Sequence, residues 1–259
     1  MAPKRPDGAG AFPKAVEQPA PVKPDPDSLY AALDLGTNSC RMLIAQPKGN
    51  QFHVVDSFSK SVQLGQGLGG SGRLSRASMA RTVQALKICQ RKLQKHEVSH
   101  MRLIATEACR RATNSRDFMR FVQRETGLKL EIIRPEEEAR LAVISCAPLV
   151  GRKTEQLLVV DIGGGSTELT WADLTGGVVR VLDSESLPCG VVTLAERFGG
   201  DRYDAATYDA MHDHVVGLIE RFDRANGLGR EIAAGGVQML GTSGTVTTVA
   251  GVHMDLKRY

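Results

Sequence analysis

From Tyr30 onward, short apolar runs of strand length alternate with longer stretches whose apolar residues recur every three or four positions. Residues 30 to 47, "YAALDLGTNSCRMLIAQP", predict a strand, a polar turn and a second strand, and Gln51 to Lys60 predict a third. Arg76 to His96 predict a helix, because Met79, Val83, Leu86, Cys89 and Leu93 share one face. A strand ending at Ala105, a helix, a strand and a helix complete one α/β unit. The pattern then starts again. Leu157 to Val160 and Thr167 to Trp171 predict a hairpin, Val178 to Asp183 a further strand, and Val191 to Phe198 a helix. A longer helix from about Asp204 to Arg224 carries Met211, Val215, Leu218, Ile219 and Phe222 on one stripe.

The second hairpin, "LLVVDIGGGSTELTW", sets three consecutive glycines between Asp161 and Glu168. Gly163, Gly164 and Gly165 allow positive φ and remove every Cβ from one side of the turn, so their N–H groups can converge on an anion. Ser166 and Thr167 offer hydroxyl donors beside them. Asp161 and Glu168 would repel a bare phosphate, which points to a metal ion or a catalytic water at the same place. The plain alternative is a tight turn whose glycines serve geometry alone. A second copy weighs against that alternative. Asp34 and Gly36 match Asp161 and Gly163, and "MRLIATEACRRAT" from Met101 parallels "VQMLGTSGTVTTVA" from Val237, with Thr106 matching Thr242. A repeat of this length predicts two similar domains facing a shared cleft.

The "DLGTNS" and "DIGGGSTE" hairpins, with "ATEACRRATN", "EEEAR" and "GTSGT" in that order, resemble the exopolyphosphatase/guanosine pentaphosphate phosphatase (Ppx/GppA) family of the actin, Hsp70 and sugar-kinase superfamily. The resemblance runs from about Tyr30 to the end of the chain. It implies an α/β fold of two ribonuclease-H-like domains, about 29–150 and 151–259, with a cleft between them. The implied activity is hydrolysis of the terminal phosphate of inorganic polyphosphate or of a guanosine tetra- or pentaphosphate. Gly36, Thr37, Asn38 and Ser39 with Asp34, and Gly163 to Thr167, would hold successive phosphates from opposite sides. Gly241, Thr242, Ser243 and Gly244 form a donor-rich turn into a helix start that suits phosphate or nucleotide oxygens.

Arg110 lies in a loop at the carboxyl end of a strand, where α/β folds place ligands, and a guanidinium there can grip phosphate oxygens. The resemblance makes it the phosphate-binding arginine, Arg111 being its less certain neighbour. A surface pair without a role is the alternative. In "RPEEEARLAVISCA" the proline and the glutamates are also what a helix start prefers. The family pattern singles out Glu138 as general base, with a pKa raised toward neutrality, and leaves Glu136 and Glu137 facing solvent. Glu168 is the competing base. A magnesium ion near Asp161, and Glu168 with it, would neutralise charge on the transferred group.

Composition adds limits. The net charge of +4 is ordinary, no apolar run approaches membrane-spanning length, and the N-terminus lacks the apolar core of a secretory signal. Five scattered cysteines without close spacing favour reduced thiols and a cytoplasmic location. Residues 1–28 form an expected disordered tail, since seven of the eleven prolines fall there and four basic residues balance four acidic ones. That balance argues against a nucleic-acid arm. "LGQGLGGSGRLS" lacks the Walker lysine and reads as a flexible connector, and His212 and His214 read as surface residues.

By comparison with the first copy, one strand and one helix are expected to be missing after Thr242, together with the carboxyl-terminal region of longer family members. The resulting uncovered sheet edge beside Val237 to Leu240 would destabilise the chain or recruit a second copy as a homodimer. Two rival functions stay open: a superfamily kinase, for which no sugar-binding motif is seen, and a non-catalytic polyphosphate or alarmone binder.

Overall fold

A computed structural model of the chain describes residues 25–49, 51–151, 154–177, 179–199 and 204–257, so most of the expected tail lies outside the described residues. The first half runs β1 (Tyr30–Leu35), β2 (Ser39–Lys48), β3 (Gln51–Ser61), α1 (Leu68–Ser71), α2 (Arg76–Lys95), β4 (His100–Ala105), α3 (Glu107–Arg111), α4 (Ser115–Thr126), β5 (Glu131–Ile132) and α5 (Pro135–Cys146). The second runs β6 (Gln156–Ile162), β7 (Thr167–Asp173), β8 (Arg180–Leu187), α6 (Val191–Phe198), α7 (Ala205–Asn226), α8 (Leu228–Ala234), β9 (Val237–Thr242) and α9 (Ser243–His253).

The repeat is visible in the pairing. Five strands form one sheet in the order β3-β2-β1-β4-β5, and four form the other in the order β8-β7-β6-β9. β1 pairs antiparallel with β2 and parallel with β4, as β6 does with β7 and β9. Among the described residues β9 is therefore an edge strand, where β4 has β5 beyond it. Met239 on β9 and Val252 on α9 are 67% and 78% exposed.

Alternation explains the first core. Ala31, Leu33 and Leu35 of β1 and Cys40, Met42 and Ile44 of β2 point to one face, where Val83, Leu86, Cys89 and Leu93 of α2 and Phe118 and Val122 of α4 cover them. Ser75 caps α2 by accepting the Ser78 N–H at 3.0 Å. Cys40 and Cys89, 49 positions apart in sequence, bring their thiols together in this core. In the second half Leu158, Leu169 and Trp171 pack against Leu218 and Phe222 of α7. Ile219, placed on the same stripe by spacing, turns outward instead.

The opposite face of the second sheet has an unexpected cover. Val143 and Cys146 of α5 pack on Leu157, Val159 and Ala172, so the last helix of the first half closes the sheet of the second. The glycine-rich connector is also more than a spacer. Its Leu64, Leu68 and Leu74 are buried in the first core, and the Gly67 N–H donates to Glu196 Oε1 on α6 at 2.8 Å. His212 is exposed as expected, whereas His214 stacks obliquely on Phe198.

Candidate active site

Both hairpin turns open into one cavity of about 560 Å³ between the halves. Its walls include Asp34, Gly36 to Ser39, Glu138, Asp161, Gly163 to Ser166, Glu168, Ser243 and Gly244, so most of the sequence-predicted residues meet there. Thr167, Gly241, Thr242 and Arg110 lie outside the lining. Thr167 is behind the turn because its hydroxyl donates to Cys189 O at 2.8 Å. The Ser166 hydroxyl is likewise engaged, donating to Glu168 Oε1 at 2.5 Å. Neither hydroxyl is therefore the free donor that the motif suggested.

One expectation of the glycines fails, and a further purpose appears. None of Gly36, Gly163, Gly164 and Gly165 adopts a positive φ. Gly164 and Gly165 allow the two hairpins to touch. A Cβ on Gly164 would lie 2.8 Å from Asn38 Cβ, and one on Gly165 would lie 2.6 Å from Thr37 Oγ1.

Hydrogen bonds on the far side of each turn set the direction of its amides. Gly163 O accepts from Val191 N–H at 3.0 Å, and Gly164 O accepts from Val192 N–H at 2.8 Å, both donors in the first turn of α6. The C=O and N–H of a trans peptide point opposite ways, so the Gly164 and Gly165 amides face away from α6. In the first hairpin Thr37 O accepts from Gly65 N–H at 2.9 Å and Asn38 O from Val62 N–H at 2.7 Å. That arrangement turns the Asn38 amide outward. Among the described residues the amides of Asn38, Gly164 and Gly165 donate to no protein acceptor. Unpaired amides in a cleft are anion ligands in waiting.

The carboxylates carry the electrostatics. Strand register sets Asp34 opposite Arg41 in the first hairpin but Asp161 opposite Glu168 in the second, so one cross-strand pair is of opposite charge and the other is doubly acidic. Burial, reinforced by the neighbouring acids Glu138 and Asp161, pushes Glu168 up to about 7 against the pull of the Ser166 and Ser186 hydroxyls. Asp34 keeps one side open to the cleft, yet the protein displacing water around its carboxyl, and after that the charge of Asp161, raise it to about 6. Asp161 is raised by burial, although the Thr242 and Ser243 hydroxyls and Arg41 draw it back. The Thr242 hydroxyl, close enough to Asp161 to have that effect, meets no partner at hydrogen-bonding geometry.

Arg110 turns toward acids rather than toward the cavity. Its Nη1 meets Glu138 Oε2 at 2.6 Å and Ile133 O at 3.1 Å, and its Nη2 meets Glu107 Oε2 at 3.1 Å. Arg111 sits 3.8 Å from the same Glu107 and is more exposed. Burial raises the Glu138 pKa, and Arg110 opposes that rise. Glu136 faces solvent as expected, but Glu137 is half-buried between Arg102 and Arg140, at 2.7 Å from each.

Arg41 is the guanidinium on the cavity wall, and it escaped the motif reading. Alternation along β2 held the signal: Cys40 and Met42 point into the core, so Arg41 must share the open face of Asp34. Glu107 also lines the cavity, and no sequence pattern set it apart from an ordinary helix-start acid.

The model of the Ppx/GppA phosphatase family matches residues 43–258. The chain belongs to the Ppx/GppA phosphatase family. The matched span takes in Glu138 and the whole second hairpin. Among solved family structures, an exopolyphosphatase-like protein is 30% identical with a TM-score of 0.78, over 90% of this chain and 71% of that one. The PPX-GPPA enzyme of Aquifex aeolicus is 30% identical with a TM-score of 0.67, over 90% and 73%. An exopolyphosphatase from Cytophaga hutchinsonii is 25% identical with a TM-score of 0.78, over the same shares. A type IV pilus PilM–PilN complex, 15% identical with a TM-score of 0.51, shares the fold alone. The Ppx/GppA chain thus has a mixed α/β architecture built on two sheets.

Proposed function

We propose that this Ppx/GppA family member is a phosphohydrolase that releases the terminal phosphate of inorganic polyphosphate or guanosine pentaphosphate to water. One observation carries the reading: outward-facing amides of two hairpins and the Glu138 carboxylate share one cavity. The amides of Asn38, Gly164 and Gly165 would bind non-bridging phosphate oxygens, and Arg41 would neutralise part of their charge.

A general base must be ionised before it can accept a proton. The ion pair with Arg110 favours the ionised form of Glu138 and occupies Oε2, which leaves the other oxygen to orient and deprotonate the attacking water. Glu168, at about 7, is half protonated near neutrality and is the weaker candidate.

The donor set suits a hard divalent cation, because Asp161 and Glu168 are cross-strand partners and both line the cavity. Among the described residues no three such side chains converge to hold an ion alone, so the fit is to an ion shared with substrate oxygens. When bound by Asp161 and Glu168, Mg2+ would supply charge neutralisation for the phosphate chain. Among the described residues no helix is long and apolar enough to cross a membrane, and the five cysteines are free thiols. The thiols support a cytoplasmic setting.

Phosphate release should be measured from each substrate with and without Mg2+. Mg2+-dependent release from at least one is expected. Binding without release from either would replace the hydrolase with a binding module.

A further inference from the structure

Two of the three carbonyls of the glycine turn are fixed by backbone amides of α6, but the third, Gly165 O, has no backbone donor among the described residues. Gly165 is buried, and a buried carbonyl needs a partner. The Thr193 hydroxyl lies 3.2 Å from it. That hydroxyl has one proton and a second acceptor in reach, Gly190 O at 2.9 Å. Gly190 O already accepts the Leu194 N–H at 2.9 Å, whereas Gly165 O depends on Thr193. The same Thr193 oxygen accepts the Gly190 N–H at 2.8 Å, which fixes the side chain against the first turn of α6.

Gly190 leaves no room for adjustment. A Cβ there would come within 2.6 Å of Gly165 N, so the end of α6 is in direct contact with the turn it supports. Because the carbonyl of Gly165 and the amide of Ser166 belong to one trans peptide, holding the first behind the turn aims the second away from α6. The Ser166 N–H then joins those of Gly164 and Gly165 on the cavity side.

We infer that Thr193 is a positioning residue of the phosphate site: its hydroxyl holds the Gly165–Ser166 peptide so that a third consecutive amide is presented to a phosphate oxygen. The inference rests on the proposed phosphate reading only for the choice of ligand. Thr193 touches neither the substrate nor the reacting atoms.

The test compares full-length wild type, Thr193→Val and Thr193→Ser. Inorganic tripolyphosphate binding is followed by calorimetry, and the Ser166 amide by its backbone resonance. Thr193→Val keeps the shape and removes the hydroxyl. It should weaken tripolyphosphate binding about fivefold, the usual consequence of one lost neutral hydrogen bond, and move the Ser166 resonance. Thr193→Ser should restore both to near wild type. Loss of the α6 cap lowers the melting temperature of Thr193→Val in any case, so affinity and resonance decide. An unmoved Ser166 resonance, or wild-type affinity in Thr193→Val, overturns the inference. A wild type that binds tripolyphosphate but releases no phosphate removes the hydrolase reading and leaves the Thr193 comparison valid. A wild type that does not bind it removes the phosphate reading, and the Ser166 resonance then judges Thr193 alone.

Discussion

Glu168→Gln should stabilise the protein at pH 8 while impairing its activity. The carboxyl is 7% exposed, and its folded pKa of about 7 stands well above the ordinary 4.5. A carboxyl whose folded pKa is raised contributes stability that is fully present below the unfolded value and is lost as pH rises through the folded value. At 1.36 kcal/mol per pKa unit, the ionised group costs roughly 3 kcal/mol at pH 8 and less than about 1 kcal/mol at pH 5. Glutamine carries no charge, and its amide oxygen can still accept from Ser166 and Ser186, which donate to Glu168 Oε1 at 2.5 and 2.9 Å. For a chain of this size, 3 kcal/mol corresponds to a rise of about 6–12 °C in melting temperature. Thermal unfolding in EDTA at pH 5 and pH 8 measures the effect free of bound cation. A gain confined to pH 8 is the expected result. A variant equally stabilised at both pH values, or less stable than wild type at pH 8, would show that the buried charge is not what strains this site.

Glu138→Gln should lower turnover about a hundredfold or more with tripolyphosphate affinity near wild type; near-normal phosphate release would move the base role to Glu168. Arg41→Ala should weaken phosphate-chain binding with little change in melting temperature. Arg110→Ala should instead cost about 3 kcal/mol of stability by leaving Glu138 without its cation and Glu107 with only the longer contact to Arg111, and urea unfolding separates the two variants. Equal stability for both would undo the distinction drawn between these arginines. Gly164→Val forces a branched side chain onto Asn38, whose Cβ would be 2.8 Å from the new one, so the hairpins must part and tripolyphosphate binding should fail. A Gly164→Val chain with normal melting and unchanged affinity would reduce the loop to a simple turn.

Features coded locally were legible. The duplicated hairpins were found because an apolar run, an aspartate and a glycine recur in order, and β6, β7 and α6 form where that pattern placed them. Features that depend on a partner distant in sequence were not. The glycines suggested unusual φ, but the need for Gly164 and Gly165 comes from Asn38 and Thr37, which reach them from the other half of the chain. Arg110 carried a phosphate-binding expectation from its loop, yet Glu107 and Glu138 bring it to themselves because burial makes unpaired carboxylates costly. Likewise α5 has an ordinary helix start in the first half and packs on the second sheet. Arg41 was readable in principle, since strand alternation alone assigns it to the face of Asp34.

The two hairpin turns share a construction that neither motif spells out. In each, the carbonyls of the turn are taken by a following segment, Val62 to Gly65 for the first and Val191 to Thr193 for the second, and the amides are thereby left to the cavity. The bracing segments also meet. Gly67, two residues beyond the first brace, donates to Glu196 on the same short helix whose first turn forms the second brace. An exposed hydrogen bond of this kind contributes only about 1 kcal/mol, too little to lock the halves together. Its position matters more than its strength: at 1.5 Å per residue, Glu196 is less than about 10 Å along the helix from the turn that α6 supports. Charge balance runs across the same boundary, with an Asp–Arg pair on one hairpin and an Asp–Glu pair on the other. The cleft is therefore one site assembled from two unequal copies: the first contributes the Arg41 guanidinium and the Glu138 carboxylate, the base of the proposed reaction, and the second contributes most of the free amides and the Asp161–Glu168 pair proposed to hold a metal.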